Sequence, residues 1–140
     1  MRILNKGRHA LTAMLYLTAQ YNRDRLVTLK ELEQCHTISL SYLEQLFSSL
    51  SQQGLVTGIR GPGGGYRLRR PPVEITIIDV LGAVDPGLRG QQATQSKTSD
   101  TYPLISELWT DLSSQIMTFL STTSLAEIVE RHKESALTIH

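Results

Sequence analysis

Residues Gly61-Pro62-Gly63-Gly64-Gly65 place four glycines and a proline in five consecutive positions. The apolar run Gly54-Leu55-Val56-Thr57-Gly58-Ile59 precedes them, and the alternating Tyr66-Arg67-Leu68-Arg69 follows. This pattern predicts two short strands joined by a tight turn. Glycine supplies the positive φ that such turns need and lets the backbone come close to another molecule. Arg60, Arg67 and Arg69 bracket the turn, with Arg70 next. A hairpin bare at its tip and cationic along its flanks can lie along a phosphate backbone, or push an arginine into a narrow minor groove. Taken alone, the same residues also describe a plain hairpin. A nucleotide-type phosphate loop is disfavoured: no lysine followed by Ser/Thr is present, and no helical pattern begins after the glycines.

The upstream segment decides between these readings. Lys6 to Tyr21 predicts a helix, with Ala10, Leu11, Ala13, Met14, Leu17 and Thr18 at helical spacing. Asn22-Arg23-Asp24-Arg25 is a polar break. Leu26-Val27 reads as a short strand or a simple extended lead-in. Thr28-Leu29-Lys30-Glu31 is a capping box that opens a short helix to about Cys35. His36-Thr37-Ile38 is the turn. Ser39 caps a second helix, Leu40 to about Gln52, with Leu40, Leu43, Leu46, Phe47 and Leu50 expected on its inner face and Gly54 ending it.

Short helix, turn, longer helix and two strands together make a winged helix-turn-helix, in which the second helix enters the major groove. Its expected outward residues are Ser39, Ser41, Tyr42, Glu44, Gln45, Ser48 and Ser49. Glu44 can accept from a cytosine amine and Gln45 can pair with adenine. Tyr42 and the serines suit phosphate or base contacts. Lys6, Arg8, Thr28 and Leu40, with Arg60, Gly61, Pro62, Gly63, Gly64, Gly65 and Tyr66 of the wing, complete the candidate DNA-binding residues.

Charge follows the same division. The chain of 140 residues carries a net +1. Residues 1–73 hold ten Lys/Arg against four acids, a net +6, while residues 74–140 hold four against nine, a net −5. A basic half beside an acidic half fits a polyanion-binding module joined to one with another task.

Downstream, Arg70-Pro71-Pro72 ends the wing. Thr76-Ile77-Ile78-Asp79 caps a connecting helix within residues 74–86, through about Val84, and Asp85-Pro86-Gly87 stops it. Residues 87–102 form a polar, low-complexity stretch expected as a flexible loop. Pro103 opens a helix to about Ser121, with Ile105, Leu108, Trp109, Leu112, Ile116, Phe119 and Leu120 in one apolar stripe. A long helix with such a stripe needs a partner, and a second copy of the chain is the economical one. Ser124 caps a closing helix to about Lys133, with Leu125, Ile128 and Val129 facing inward. Residues 103–134 are thus assigned to dimerisation, and residues 135–140 to a frayed tail. The expected fold is mainly α: a winged helix-turn-helix domain over residues 1–73 with a two-stranded wing, plus a long C-terminal dimerisation helix.

Asn5-Lys6-Gly7-Arg8, Thr12-Ala13-Met14-Leu15, Ile38 through Phe47, Gly54-Leu55-Val56, Arg60 through Tyr66, Ala83-Val84-Asp85 and Leu108 through Leu112 resemble the IscR-like family of bacterial iron–sulfur regulators. These are dimeric winged-helix repressors. The resemblance implies a homodimer on a pseudo-palindromic operator, with Arg60 in the minor groove and Glu44 discriminating on the recognition helix. Relatives that carry a 2Fe–2S cluster hold it with three cysteines, and commonly a histidine, in the loop before the long helix. Here that loop holds neither, and Pro103 and Ser106 stand where the last cysteine and the histidine are expected. Cluster iron needs thiolate or imidazole, so no cofactor and no metal ligand is expected.

Cys35 is a small half-buried residue ending a helix, or a redox-sensing thiol. His9, His36, His132 and His140 show no metal-ligand spacing. No carboxylate pair or nucleophile–base pair points to an enzyme. No apolar run approaches a membrane span, no signal-peptide pattern opens the chain, and one cysteine excludes an intrachain disulfide, all of which fits a cytoplasmic protein. Two other readings stay open: a winged helix that serves as a protein-interaction module, and a regulator of the same build that senses redox state or a small molecule.

Overall fold

The computed structural model describes residues 5–89 and 103–139. Helix α1 (Asn5–Gln20) leads through a 3₁₀ turn, Tyr21–Arg23, to α2 (Leu29–His36) and α3 (Leu40–Gln52). Strands β1 (Val56–Ile59) and β2 (Gly65–Leu68) follow. Next come a 3₁₀ turn at Pro72–Glu74, α4 (Ile77–Val84), α5 (Pro86–Arg89), α6 (Pro103–Thr122) and α7 (Leu125–Ile139). This is the winged helix-turn-helix expected from the caps and the glycine-rich turn. Residues 90–102 of the expected loop, and His140 of the expected tail, lie outside the described residues.

The caps set the helix starts. Thr28 accepts from the Glu31 N–H, Ser39 from the Tyr42 N–H and Ser124 from the Glu127 N–H. Thr76 and Asp79 complete a reciprocal box at α4. At the end of α3, Gly54 turns the chain with φ +75°, and β1 starts two residues later.

The hairpin is antiparallel, with Val56 opposite Leu68, Thr57 opposite Arg67, Gly58 opposite Tyr66 and Ile59 opposite Gly65. Its turn closes on a hydrogen bond from the Gly64 N–H to the Gly61 carbonyl at 2.9 Å. A Cβ on Gly64 would stand 2.1 Å from the Ile59 carbonyl oxygen, so only glycine fits there. Val27 and Tyr66 exchange two backbone hydrogen bonds, at 2.9 and 2.7 Å. Leu26-Val27 is therefore an extended segment that ties the hairpin to the α1–α2 connection.

One core joins the faces of α1 (Ala10, Met14, Leu17), α2 (Leu32), α3 (Leu43, Leu46, Phe47, Leu50) and the hairpin (Val56, Leu68). Ile75, Val80, Val84 and Leu125 complete the same core from beyond residue 73. A second, smaller cluster unites Ile77, Leu81, Leu88 and Leu120. The connection between α6 and α7 is pinned to the lead-in of α4: the Ile77 N–H donates to the Thr123 carbonyl and the Leu125 N–H to the Ile75 carbonyl.

Several expectations are corrected. Leu40 is on the exposed side of α3, since the inner face is complete without it. Leu120, expected in the partner stripe, is buried in its own chain's second cluster. Asp85 ends α4 as expected, but Pro86 starts another helical turn that seats Leu88 in that cluster. Helix α7 runs to Ile139, through residues 135–139 of the expected frayed tail. Cys35 is exposed, with Sγ 3.9 Å from the Tyr16 hydroxyl, not half-buried.

The remaining apolar residues of α6 are open. Leu104, Ile105, Leu108, Trp109, Leu112 and Phe119 are all exposed, Leu108 by 66% and Trp109 by 50%. Twenty residues make α6 about 30 Å long. Among the described residues, its last turns pack on the body through Ile116, Met117 and Leu120. No helix among the described residues is long and apolar enough to cross a membrane.

Candidate nucleic-acid interface

Helix α3 buries Leu43, Leu46, Phe47 and Leu50 and exposes Ser41, Glu44, Gln45 and Ser48. The exposed four share one face by their three- and four-residue spacing. They are short or hydrogen-bonding groups with no large apolar side chain among them. Ser39 and Leu40 open the helix, both exposed. The Leu40 N–H donates to Glu33 Oε2 at 3.2 Å, so the carboxylate of α2 satisfies a first-turn donor of α3 and sets the angle between the two helices. That residue was not singled out in the sequence, although an acid seven residues before a helix start is the available signal.

Tyr42 is half-buried. Its ring meets His9 edge-on at 5.4 Å and its hydroxyl lies 3.3 Å from His9 Nδ1. The pair brings the start of α1 beside the start of α3. The same end of α1 carries Lys6, half-buried, and Arg8, exposed. Thr28, expected as a contact, is exposed; its hydroxyl oxygen accepts from the first turn of its own helix, which leaves the hydroxyl proton to donate. The wing tip, Arg60 through Gly63, is exposed. Tyr66 is not: its ring packs on Phe47 at 4.7 Å, which fixes the hairpin against α3 from inside. Gly64 and Gly65 likewise serve the turn's geometry, Gly65 against the Val27 backbone. Thus the structure presents α3's polar face and the Arg60 tip outward, and assigns Tyr66, Gly64 and Gly65 to the scaffold beneath.

One charged network supports the α1–α2 junction. Glu31 accepts from both terminal nitrogens of Arg25, one at 3.0 Å, and from the Tyr16 hydroxyl. The Arg25 hydrogen bonds hold the Glu31 carboxyl below its ordinary 4.5, against the opposing pull of burial, with the Tyr16 phenol and the Thr28 amide adding smaller shares. The capping box read from Thr28 and Glu31 is therefore subordinate, because the carboxylate belongs first to Arg25. The Tyr16 phenol is pushed up to about 12, chiefly by its bond to Glu31, then by burial and the nearby Cys35 thiol. A depressed carboxyl stabilises the fold above its unfolded value and loses that contribution as pH falls through the folded one. Replacing Glu31 by glutamine is expected to lower the melting temperature by about 3 °C at pH 7. The gap to wild type should close as the pH drops below about 4 in thermal unfolding. A gap that held constant down to pH 3 would exclude the ionised carboxylate as its source.

Among the described residues, no group of three or more His, Cys, Asp or Glu side chains could hold a metal ion. The profile of the Rrf2 family, described as "Iron-dependent Transcriptional regulator", matches residues 3–131. This chain belongs to the Rrf2 family. It is 42% identical to the HTH-type transcriptional regulator IscR of Photorhabdus laumondii over 135 residues, 95% of this chain and 82% of that protein. Against IscR of Aliivibrio salmonicida it is 44% identical, over 92% of this chain and 77% of that one. The solved structure of CymR (YrzC), the global cysteine regulator of B. subtilis, superposes with a TM-score of 0.82 at 32% identity, covering 94% of this chain and 98% of that chain. An IscR-like helix-turn-helix transcriptional regulator of the Rrf2 family is therefore what the α3 face and the hairpin belong to. DNA binding follows from that family and fold, and the relatives it matches are regulators rather than enzymes.

Proposed function

We propose that this Rrf2 regulator reads a pseudo-palindromic operator as a homodimer and does so without an iron–sulfur cluster. The observation that carries the reading is the pairing of an exposed, small and polar α3 face with an exposed arginine at a glycine-built hairpin tip, the two locked together by Phe47 and Tyr66. In the major groove, Glu44 accepts from a cytosine amine, Gln45 pairs with adenine, and Ser41 and Ser48 reach phosphates or base edges. The Glu44 charge also penalises sites that bring phosphate or a base acceptor against it. Arg60 enters the minor groove where it is narrow and its potential most negative. The homodimer is supported by the open apolar stripe of α6, where Ile105, Leu108, Trp109, Leu112 and Phe119 are left exposed.

The donor set does not fit a cluster of the kind the resemblance implies. The chain has one cysteine in all, Cys35, and it lies on α2. Pro103 and Ser106 stand in the first turn of α6, and neither side chain replaces a thiolate or an imidazole. After anaerobic reconstitution with iron and sulfide, the purified protein is expected to show no stoichiometric 2Fe–2S absorption. Such a spectrum would end the cluster-free reading and leave the DNA-binding reading untouched.

The DNA reading is tested by selecting bound genomic fragments and titrating variants on the best site. Arg60→Ala should lose about tenfold to a hundredfold in affinity, most at A-tract sites. Glu44→Ala should broaden the selected sequence with little loss at the best site. Wild-type binding should fall steeply with salt, as phosphate contacts require. If both variants matched wild type on operator and on random DNA, this docking would be wrong. No duplex binding at low salt would favour a protein-interaction role for the same face.

A further inference from the structure

A cavity of about 560 Å³ opens between the end of α1, the turn that follows it and the outer face of the hairpin. Leu17 and Leu68 border it but are buried, so the apolar surface it offers is the ring of Tyr21, 39% exposed. Arg67 and Arg69 line it from β2 and its exit, and Asp24 and Arg25 from the turn. Arg67 and Arg69 flank Leu68 in sequence, all three line the cavity, and both arginines are exposed.

These arginines are poorly neutralised. Arg67 Nη1 stands 4.0 Å from Asp24 Oδ1, with the two side chains 53% and 94% exposed, which is a loose pair. Arg69 forms no ion pair with a described residue. Arg25 is different, since both its terminal nitrogens are spent on Glu31. Asp24, at φ 50°, is the left-handed residue that ends the Tyr21–Arg23 turn, its N–H donating to the Tyr21 carbonyl.

DNA reading does not account for them. The start of α3 adjoins the start of α1 through Tyr42 and His9, while the cavity adjoins the end of α1. Sixteen helical residues put about 22 Å between those ends. Arg69 is also about 13 Å of strand below the glycine turn.

We propose that this cavity is a binding site for a small organic dianion, a dicarboxylate or a phosphate monoester. Its anionic groups take the guanidinium forks of Arg67 and Arg69, and its carbon skeleton rests against the ring of Tyr21. Arginine forks match carboxylate and phosphate oxygens two at a time, and the volume is that of a small-molecule site. The ligand displaces Asp24 from Arg67, a contact too long and too exposed to compete. Binding at this site does not depend on the DNA-reading proposal, so either can fail alone.

The test measures thermal unfolding of the full chain in succinate and in inorganic phosphate, each against chloride at equal ionic strength and pH 7.5. At least one of the two anions is expected to raise the midpoint saturably, by about 5 °C at ten times its dissociation constant. The double variant Arg67→Gln/Arg69→Gln should unfold normally in chloride and lose that rise. Its duplex affinity should keep the wild-type salt dependence. No rise in wild type with either anion, or an equal rise in the variant, would overturn the site. A salt slope shallower by about two in the variant would do so as well, by assigning both arginines to DNA phosphates.

Discussion

Replacing Leu108 by aspartate and Trp109 by glutamate together is expected to leave a folded monomer that binds operator more than a hundredfold more weakly. Both positions are largely exposed on α6, so a charge there costs the isolated chain little. In a dimer the same positions become a desolvated centre. Tryptophan is the residue type on which interface energy most often concentrates, and an unpaired carboxylate buried opposite another carries both a desolvation and a repulsion cost. The operator effect exceeds the interface effect in kind. A dimer that seats one recognition helix presents the second at high effective concentration, and losing that link removes a factor of about 10² to 10⁴. Analytical ultracentrifugation gives the mass, circular dichroism the fold, and fluorescence anisotropy the affinity. A variant still dimeric at micromolar concentration would remove α6 from the interface. A monomer with wild-type affinity would remove the need for a dimer.

The second large effect is at the wing. Gly64→Ala should cost at least tenfold in operator affinity while the helical core stays intact. The added methyl would stand 2.1 Å from the Ile59 carbonyl oxygen and 2.8 Å from that of Gly61. Both are backbone atoms, so no side chain can swing aside and the turn itself must open. The Gly64–Gly61 hydrogen bond goes with it, and Arg60 loses its defined direction. The buried residues lie elsewhere, on α1, α2, α3, α4, the start of α7 and the strand ends, so melting should shift by only a few degrees. Pro62→Ala, at an exposed tip position, is the control and should bind nearly as wild type. Equal affinity for Gly64→Ala and wild type would show that the hairpin's shape is immaterial to DNA.

Much of this fold was legible because its punctuation is chemical. Thr28, Ser39, Thr76 and Ser124 each mark a helix start that the structure places one residue later. Gly54 and the run after Arg60 mark where helix and strand must turn. What escaped was partnership. Tyr66 reads as a tip residue beside glycines and arginines, yet the strand period already put it with Leu68, and the register places it under Phe47. Leu120 continues the α6 stripe by spacing. Spacing cannot say whether the surface it meets is α4 of its own chain or a second copy. Glu31 has the position of a capping acid, but a charged fork from Arg25 outweighs a backbone amide. Arg67 and Arg69 flank the tip in sequence, but their place beside Tyr21 and Asp24 appears only once the hairpin packs on the end of α1.

The short ladder joining Ile75 to Leu125 and Ile77 to Thr123 has a metrical consequence. It clamps the root of α6 to the body that carries α3, so in the proposed homodimer the axis about which two copies pair would be fixed relative to the helix each inserts. Such a pair would behave as a caliper with a set span. Each base pair adds about 34° of rotation along the duplex, so one base too many between half-sites turns the second helix off its groove. A caliper of this kind measures the operator's central gap as strictly as its side chains read the letters on either side.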